Sequence, residues 1–491
     1  MTSRYIVVGL VASVLLSFVM DLKASDWPCF RGPNNDGRTT ERVVSWPPLP
    51  IWSTQVGEGF SEVVVSKGRV YTLGWANGTD TVYCFDQASP GPTPTLVWKS
   101  SYACAAGFTE STPTADGDQV YTFSRDGQLI CFDAATGTTN WVAIATNGPQ
   151  GYGFASSPFV EGNNVIVNAG SSGIAIDKSS GQTSWISSGM ASYASPFEVT
   201  IDSQRTVVMY GGNSVSGVDP TSGNVLWYYP MPYAGVLNPI VFNKELWVSA
   251  SDPMGGSPVG SVLVNITGSG LLTNVVWKNS DIANQYNCWV YYNGYMYGIG
   301  TIAGSSGIIC MDASTGAKVW NSADSGAAYA CYAGLTLAND HLIAVNDAWT
   351  NNDSLWLGDI VVVPATPLGY GETYRADGVV SNANPDSCWI APVLSNGRIY
   401  VRTLDGTLAC LSVGSSGNPP VLTIAPQLGN QVQLSWPSDS GTTYGVYKTT
   451  NLLSGWPQQP CTNLVGSGSS ILFSEPIGSQ NLAFYRIKAT Q

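Results

Sequence analysis

The 491 residues contain a single histidine, His341, so any acid–base or nucleophile-activating chemistry that needs an imidazole rests on one position. A Ser-His-Asp triad would hang on it, and no G-x-S-x-G turn is present to lift a serine toward it. His341 falls at the start of an inner strand beside a turn, the same repeat place as Arg69 and Arg398, and that is the place of a solvent-facing turn residue. No C-x-x-C-H offers haem attachment and no C-x-x-C pair offers a zinc site. The acidic-polar stretch Asn351-Asn352-Asp353-Ser354 lacks the Gly and Glu spacing of a calcium loop. The sequence therefore assembles no catalytic constellation and no metal-ligating one.

Recognition is better represented than reaction. Aligning the residues at the head of each innermost strand places Phe60, Glu110, Ala155, Tyr193, Val236, Tyr286, Tyr332 and Trp389 at one repeated position. Five of these eight are aromatic and Glu110 carries the only charge, so symmetry would make them a ring near one mouth of a channel. Aromatic faces with a few polar tips suit a sugar, a peptide or a flat cofactor. The same side chains would also simply fill the funnel between converging sheets.

The elements that must position this ring are themselves repeated. Asp133, Asp177, Asp219 and Asp312 are each followed four residues later by Gly and four residues after that by Trp, at Trp141, Trp185, Trp227 and Trp320. The Asp accepts hydrogen bonds from the backbone of the turn it opens. The Gly takes the left-handed conformation that restores strand register. The Trp then lays a large apolar surface between neighbouring sheets. Looser copies complete the series, and Trp52, Trp98, Trp141, Trp185, Trp227, Trp277, Trp320 and Tyr374 recur at 42 to 54 residues. Eight aromatic positions predict eight four-stranded blades stacked side by side. The last copy ends before reaching its Trp, whereas Pro50-Ile51-Trp52-Ser53 stands alone before the first, so an N-terminal strand is expected to close the ring and leave no open edge.

The unit written Cys131-Phe132-Asp133-Ala134-Ala135-Thr136-Gly137-Thr138-Thr139-Asn140-Trp141 resembles the repeat of the pyrroloquinoline-quinone-type propellers, over residues 47–413. That family includes quinoprotein dehydrogenases and non-enzymatic envelope proteins. Asp26-Trp27-Pro28-Cys29-Phe30-Arg31-Gly32-Pro33 resembles the opening segment of many exported members, and residues 25–46 read as a clamp whose Trp27 and Phe30 pack on the propeller. The resemblance implies that a dehydrogenase would hold its quinone between a Trp and a disulfide of adjacent Cys, with Ca²⁺ alongside. The ten Cys of this chain include no adjacent pair. No cofactor is therefore expected; quinone with Ca²⁺ belongs to the alternative reading, a divergent dehydrogenase oxidising an alcohol or sugar. Cys84, Cys131, Cys310 and Cys410 share one strand place in four blades and read as buried packing thiols. Cys331 and Cys388 are equivalent in adjacent blades, where a disulfide would need their Cα atoms within roughly 7 Å.

Composition agrees with an all-β chain of short strands, since charged residues are 11% and Gly numbers 54. The formal charge of −13 argues against nucleic acid or an anionic membrane as partner. Arg4 followed by the apolar run Ile6 to Met20 reads as an export signal over residues 1–24, too short for the ~20 residues of a membrane span. Export permits disulfides, and places the mature chain in the periplasm, at the cell surface or outside the cell without membrane insertion. Residues 414–420 read as a linker, and the alternation around Val432, Leu434 and Trp436 predicts a fibronectin-III-like β-sandwich over 421–491. The sequence thus describes an exported, non-catalytic propeller that serves as a scaffold or binds a protein, peptide or glycan ligand.

Overall fold

The computed structural model describes residues 26–148, 151–189, 192–231, 236–251, 258–282, 288–302, 304–329, 334–346, 356–382, 389–414, 423–427, 431–437, 443–449, 459–465, 470–476 and 484–490. The export segment, the linker, Tyr286, Tyr332, Cys331 and Cys388 lie outside them. Residues 24–417 and 418–491 form separate units.

The larger unit is an eight-bladed propeller, each blade an antiparallel sheet of four main strands. The innermost strands are Val64–Ser66, Thr114–Asp116, Phe159–Glu161, Phe197–Ile201, Ile240–Phe242, Val290–Tyr292, Leu335–Ala338 and Val393–Ser395. Each repeated aromatic sits on the outermost strand of its own blade. In the last blade that strand is the N-terminal Leu49–Gln55, paired antiparallel with Thr407–Ser412 so that Trp52 lies opposite Cys410. The ring therefore closes by the first strand of the chain completing the final sheet. Two blades gain an extra parallel strand: Gly270–Leu271 covers the outer edge at Trp227, and Arg38–Thr39 adds to the inner edge at Leu337.

The repeated unit docks blades by a device more specific than apolar contact. The indole N–H of Trp98 donates to the Ala134 carbonyl at 2.9 Å, Trp141 to Lys178 at 2.9 Å, Trp185 to Pro220 at 3.0 Å and Trp277 to Ala313 at 2.9 Å. Each acceptor is the residue just after the turn-opening Asp of the following blade. The turn Gly then lies against the same ring: a Cβ on Gly137 would stand 2.5 Å from Trp98, and one on Gly223 2.5 Å from Trp185. One turn thus receives the ring face on its Gly and the ring N–H on its carbonyl. Asp177 holds that turn by accepting from the Ser179 and Ser180 amides at 3.1 and 2.9 Å and from both hydroxyls, which lowers its carboxyl to about 2.

The four equivalent cysteines are buried, and strand register explains why the position wants a small side chain. Tyr71, Cys84 and Trp98 stand opposite one another on three adjacent strands, as do Tyr121, Cys131 and Trp141, and Tyr297, Cys310 and Trp320. Tyr400, Cys410 and Trp52 repeat the arrangement across the closing strand. The thiol lets the flanking rings approach to 5.9–6.2 Å between centroids. Burial pushes the thiols up, Cys131 to about 11 and Cys84, Cys310 and Cys410 to about 12. Thiolate is the reacting species, so iodoacetamide at pH 8 is expected to label exposed Cys461 and spare these four until denaturant is added. Peptide mass spectrometry reads this directly; native labelling of any of the four would contradict their packing role.

The smaller unit is two three-stranded antiparallel sheets. Val432 and Leu434 from one sheet and Tyr444 and Val446 from the other are buried in a common core, with Leu464, Ile471 and Phe473 against it.

Candidate functional site

At the channel a cavity of about 640 Å³ opens among the innermost strands. The structure brings Phe60, Glu110, Tyr193 and Trp389 of the expected ring to its wall, together with Ala155 and Val236. The rings of Phe60 and Trp389 are 4.9 Å apart between centroids, and Phe108 meets Phe60 edge-on at 5.5 Å. One side of the wall, from the first, second and last blades, is therefore aromatic. Tyr193 faces Tyr152 at 6.3 Å on the neighbouring arc.

A second tier lies two residues further along each chain segment. Period-two alternation returns these residues to the channel face, and they are Glu62, Thr112, Ser157, Ser195, Asn238, Cys288, Gly334 and Ala391. Six successive blades are laced through the first six of them. The Glu62 amide donates to Thr112 Oγ1 at 2.8 Å, and the Thr112 amide to Ser157 Oγ at 3.0 Å. The Ser157 amide continues to Ser195 Oγ at 2.9 Å, Ser195 to Asn238 Oδ1 at 3.0 Å and Asn238 to Cys288 Sγ at 3.4 Å. The belt satisfies backbone donors on the exposed inner edges of the sheets, groups that would be costly to leave unpaired. Its sequence signal is a run of small acceptors, Thr, Ser, Ser, Asn and Cys, two places after the ring. Aligning on aromatics alone passes over it.

Glu110 is not the only charge of the cavity. Its carboxylate stands 3.5 Å from the Arg125 guanidinium, which also donates to the Tyr152 carbonyl and lies 4.7 Å over the Phe108 ring. Burial raises the Glu110 carboxyl to about 7 against the pull of Arg125. Glu62, buried deeper, is likewise raised to about 7 by burial and held by Arg31, whose backbone amide donates to Oε2 at 3.0 Å. His341 takes no part: it pairs with Asp340 at 2.8 Å at the head of the second strand of its blade.

Arg31 belongs to the N-terminal segment, which does more than lie on the outside. Trp27 bridges to Val65 and the Ala115 amide donates to Pro28 O at 2.8 Å, anchoring the segment on the first two blades. Arg31 then reaches across to the Trp289 carbonyl at 2.7 Å with Nη2, and Nε donates to Asn35 O at 3.1 Å. Gly37 O accepts from Leu337, and the Glu41 carboxylate accepts from the Asn396 and Gly397 amides at 2.8 and 3.0 Å. The segment therefore spans the channel from the first blades to the last, and Trp27, Phe30, Arg31 and Gly37 floor the cavity that the aromatic ring rims. Further on, Trp46 stacks on Tyr374 at 5.3 Å, covering the one blade whose docking aromatic is not Trp.

Among the described residues no group of three or more His, Cys, Asp or Glu side chains is arranged to hold a metal ion. No helix of the described residues is long and apolar enough to cross a membrane.

The family model described as outer membrane protein assembly factor BamB matches residues 39–152 and 78–242. Among solved structures, BamB from Moraxella catarrhalis is similar at 16% identity and a TM-score of 0.52, over 74% of this chain and 98% of its own. Quinohemoprotein alcohol dehydrogenase ADHIIG from Pseudomonas putida HK5 is similar at 13% identity and a TM-score of 0.55, over 80% and 81%. A europium-containing methanol dehydrogenase reaches 0.53 at 11% identity, over 85% and 91%. No curated protein sequence matches the chain. Likeness at these identities speaks to the fold and not to the chemistry. The docking turns and the eight closed blades make the larger unit a β-propeller, and its residues 39–242 match the pyrroloquinoline-quinone-type repeat family that the BamB model describes.

Proposed function

We propose that this propeller is an exported, non-catalytic binding module of the bacterial envelope that takes a ligand at the aromatic mouth of its channel. One observation carries the reading: the cavity is rimmed by Phe60, Tyr193 and Trp389 and floored by the protein's own N-terminal segment, so it is a one-ended pocket. Its size falls in the range of about 300–1,000 Å³ typical of small-molecule sites. Its charged groups are committed to structure, Arg31 to Trp289 and Asn35, and Arg125 to Tyr152 and Glu110. Among the described residues of its wall none is placed as a nucleophile with a base beside it. The smaller unit, a fibronectin-III-like sandwich in this reading, is a spacer.

The rival reading, a quinone-dependent dehydrogenase, asks the same cavity to hold a polycarboxylate and its Ca²⁺. The described residues do not fit that group, because both guanidinium groups already serve protein acceptors, Glu110 is paired with Arg125 and Glu62 accepts the Arg31 backbone amide. No adjacent Cys pair supplies the disulfide face. Titration of the purified chain with quinone and Ca²⁺, followed by absorbance and dye-linked alcohol oxidation, separates the two. The expected result is no saturable uptake; tight, saturable uptake with turnover would replace the binding-module reading. Trp389→Ala is expected to weaken any channel ligand at least tenfold while leaving the fold intact.

A further inference from the structure

We infer that the ligand of this cavity is an uncharged pyranose sugar, one or two rings of a glycan, held between the aromatic rim and the hydroxyl–amide belt. The inference rests on the cavity being a binding site at all, and adds the chemistry of what fills it.

The decisive group is Asn238. The residue is 2% exposed, and Oδ1 is fixed by accepting the Ser195 amide, so the identities of the two amide atoms are settled by the belt. Nδ2, on the other branch, is buried without a hydrogen-bond partner, in a residue that lines the cavity. A buried donor left unmade costs about 1–3 kcal/mol, which a native structure tolerates where a ligand supplies the acceptor. Ser157 and Ser195 stand beside it on the same wall. Each hydroxyl accepts a backbone amide from the preceding blade and keeps its own proton to donate. The third, fourth and fifth blades thus present a patch of hydrogen-bonding groups, and Phe60 and Trp389 present flat apolar faces from the first and last. A sugar ring is the common ligand with that division, hydroxyls around its edge and a C–H face for an aromatic ring.

Charge and edge availability set this ligand apart from others. Glu110 is countered by Arg125 and Glu62 by Arg31, so among the described residues the cavity carries no uncompensated charge to select an ion. A peptide would seek free backbone N–H groups along an inner edge. Five of those amides are already spent on the belt.

The test uses the full mature chain and intrinsic tryptophan fluorescence, with calorimetry as a second readout. The probes are cellobiose, maltotriose, xylobiose and chitobiose, set against a panel of neutral blocked tetrapeptides. At least one saccharide is expected to saturate at millimolar concentration or below. Asn238→Asp keeps the oxygen that the Ser195 amide needs and replaces the Nδ2 donor; its buried carboxyl is expected to lower the melting temperature, and the variant, shown folded by circular dichroism, to bind at least tenfold more weakly. Trp389→Ala should weaken binding likewise, with Trp389→Phe recovering most of the affinity. The inference is overturned if no saccharide saturates, or if saccharide binding is unchanged in both Asn238→Asp and Trp389→Ala. Tetrapeptides that saturate and are lost in Trp389→Ala would overturn the sugar while leaving the binding-module reading standing. If neither panel saturates, both fall.

Discussion

Gly137→Ala is expected to destabilise the propeller by about 2–5 kcal/mol, and Gly117→Ala by only about 1–2 kcal/mol. Both glycines hold left-handed backbone, at φ +72° and +62°, where an alanine pays for its Cβ against the following carbonyl. They differ in what that Cβ would meet. At Gly117 there is nothing within 4 Å, whereas at Gly137 the indole of Trp98 is 2.5 Å away. That indole cannot retreat freely, because its N–H is bonded to Ala134 three residues earlier in the same turn. The extra cost is therefore one of overpacking a blade junction, about 1–3 kcal/mol. Urea unfolding of both variants followed by far-UV circular dichroism measures the difference. Equal losses would mean that the turn needs only its backbone conformation and that the ring contact contributes nothing.

At pH 8, Glu62→Gln is expected to be more stable than the parent, by up to roughly 3 kcal/mol, taking 1.36 kcal/mol per pKa unit. The sign follows from the direction of the shift. Burial raises the Glu62 carboxyl from 4.5 to about 7, so on raising the pH the unfolded chain loses this proton first. Between about 4.5 and 7 the folded state binds more protons, and its stability falls as pH rises. Above 7 the whole penalty is present. Glutamine carries none of it and still offers an oxygen to the Arg31 amide. Urea midpoints at pH 4, 6 and 8 should therefore separate less for the variant than for the parent, with the parts due to Glu110 and Asp80, both also raised to about 7 by burial, remaining in both. An unchanged pH slope in Glu62→Gln would show that this carboxyl ionises without penalty in the folded protein.

The blade count, the closing strand and the buried cysteines were legible because each follows from a strictly local pattern repeated many times. An Asp-to-Gly turn fixes its own geometry within five residues, and a Trp four residues on lands on the outermost strand whatever the rest of the chain does. The place of Phe60, Glu110, Tyr193 and Trp389 on the cavity wall follows from position in the same repeat. Glu62 and Arg125 escaped because neither is repeated: each is a single charge whose meaning depends on a partner brought near by folding.

The sequence alone determined the eight docking aromatics, the turns they lie on and the N-terminal strand that closes the ring, since these rest on spacing along the chain. Only the tertiary structure decided what stands in the channel. Arg31 lies 258 positions before the Trp289 carbonyl it holds, and the belt joins six blades by single hydrogen bonds between residues 38 to 50 apart. The Arg31 contact leaves no periodic trace and the belt leaves only a run of small acceptors at one repeat place, because the partners are chosen by closure of the ring and not by the local geometry of any strand.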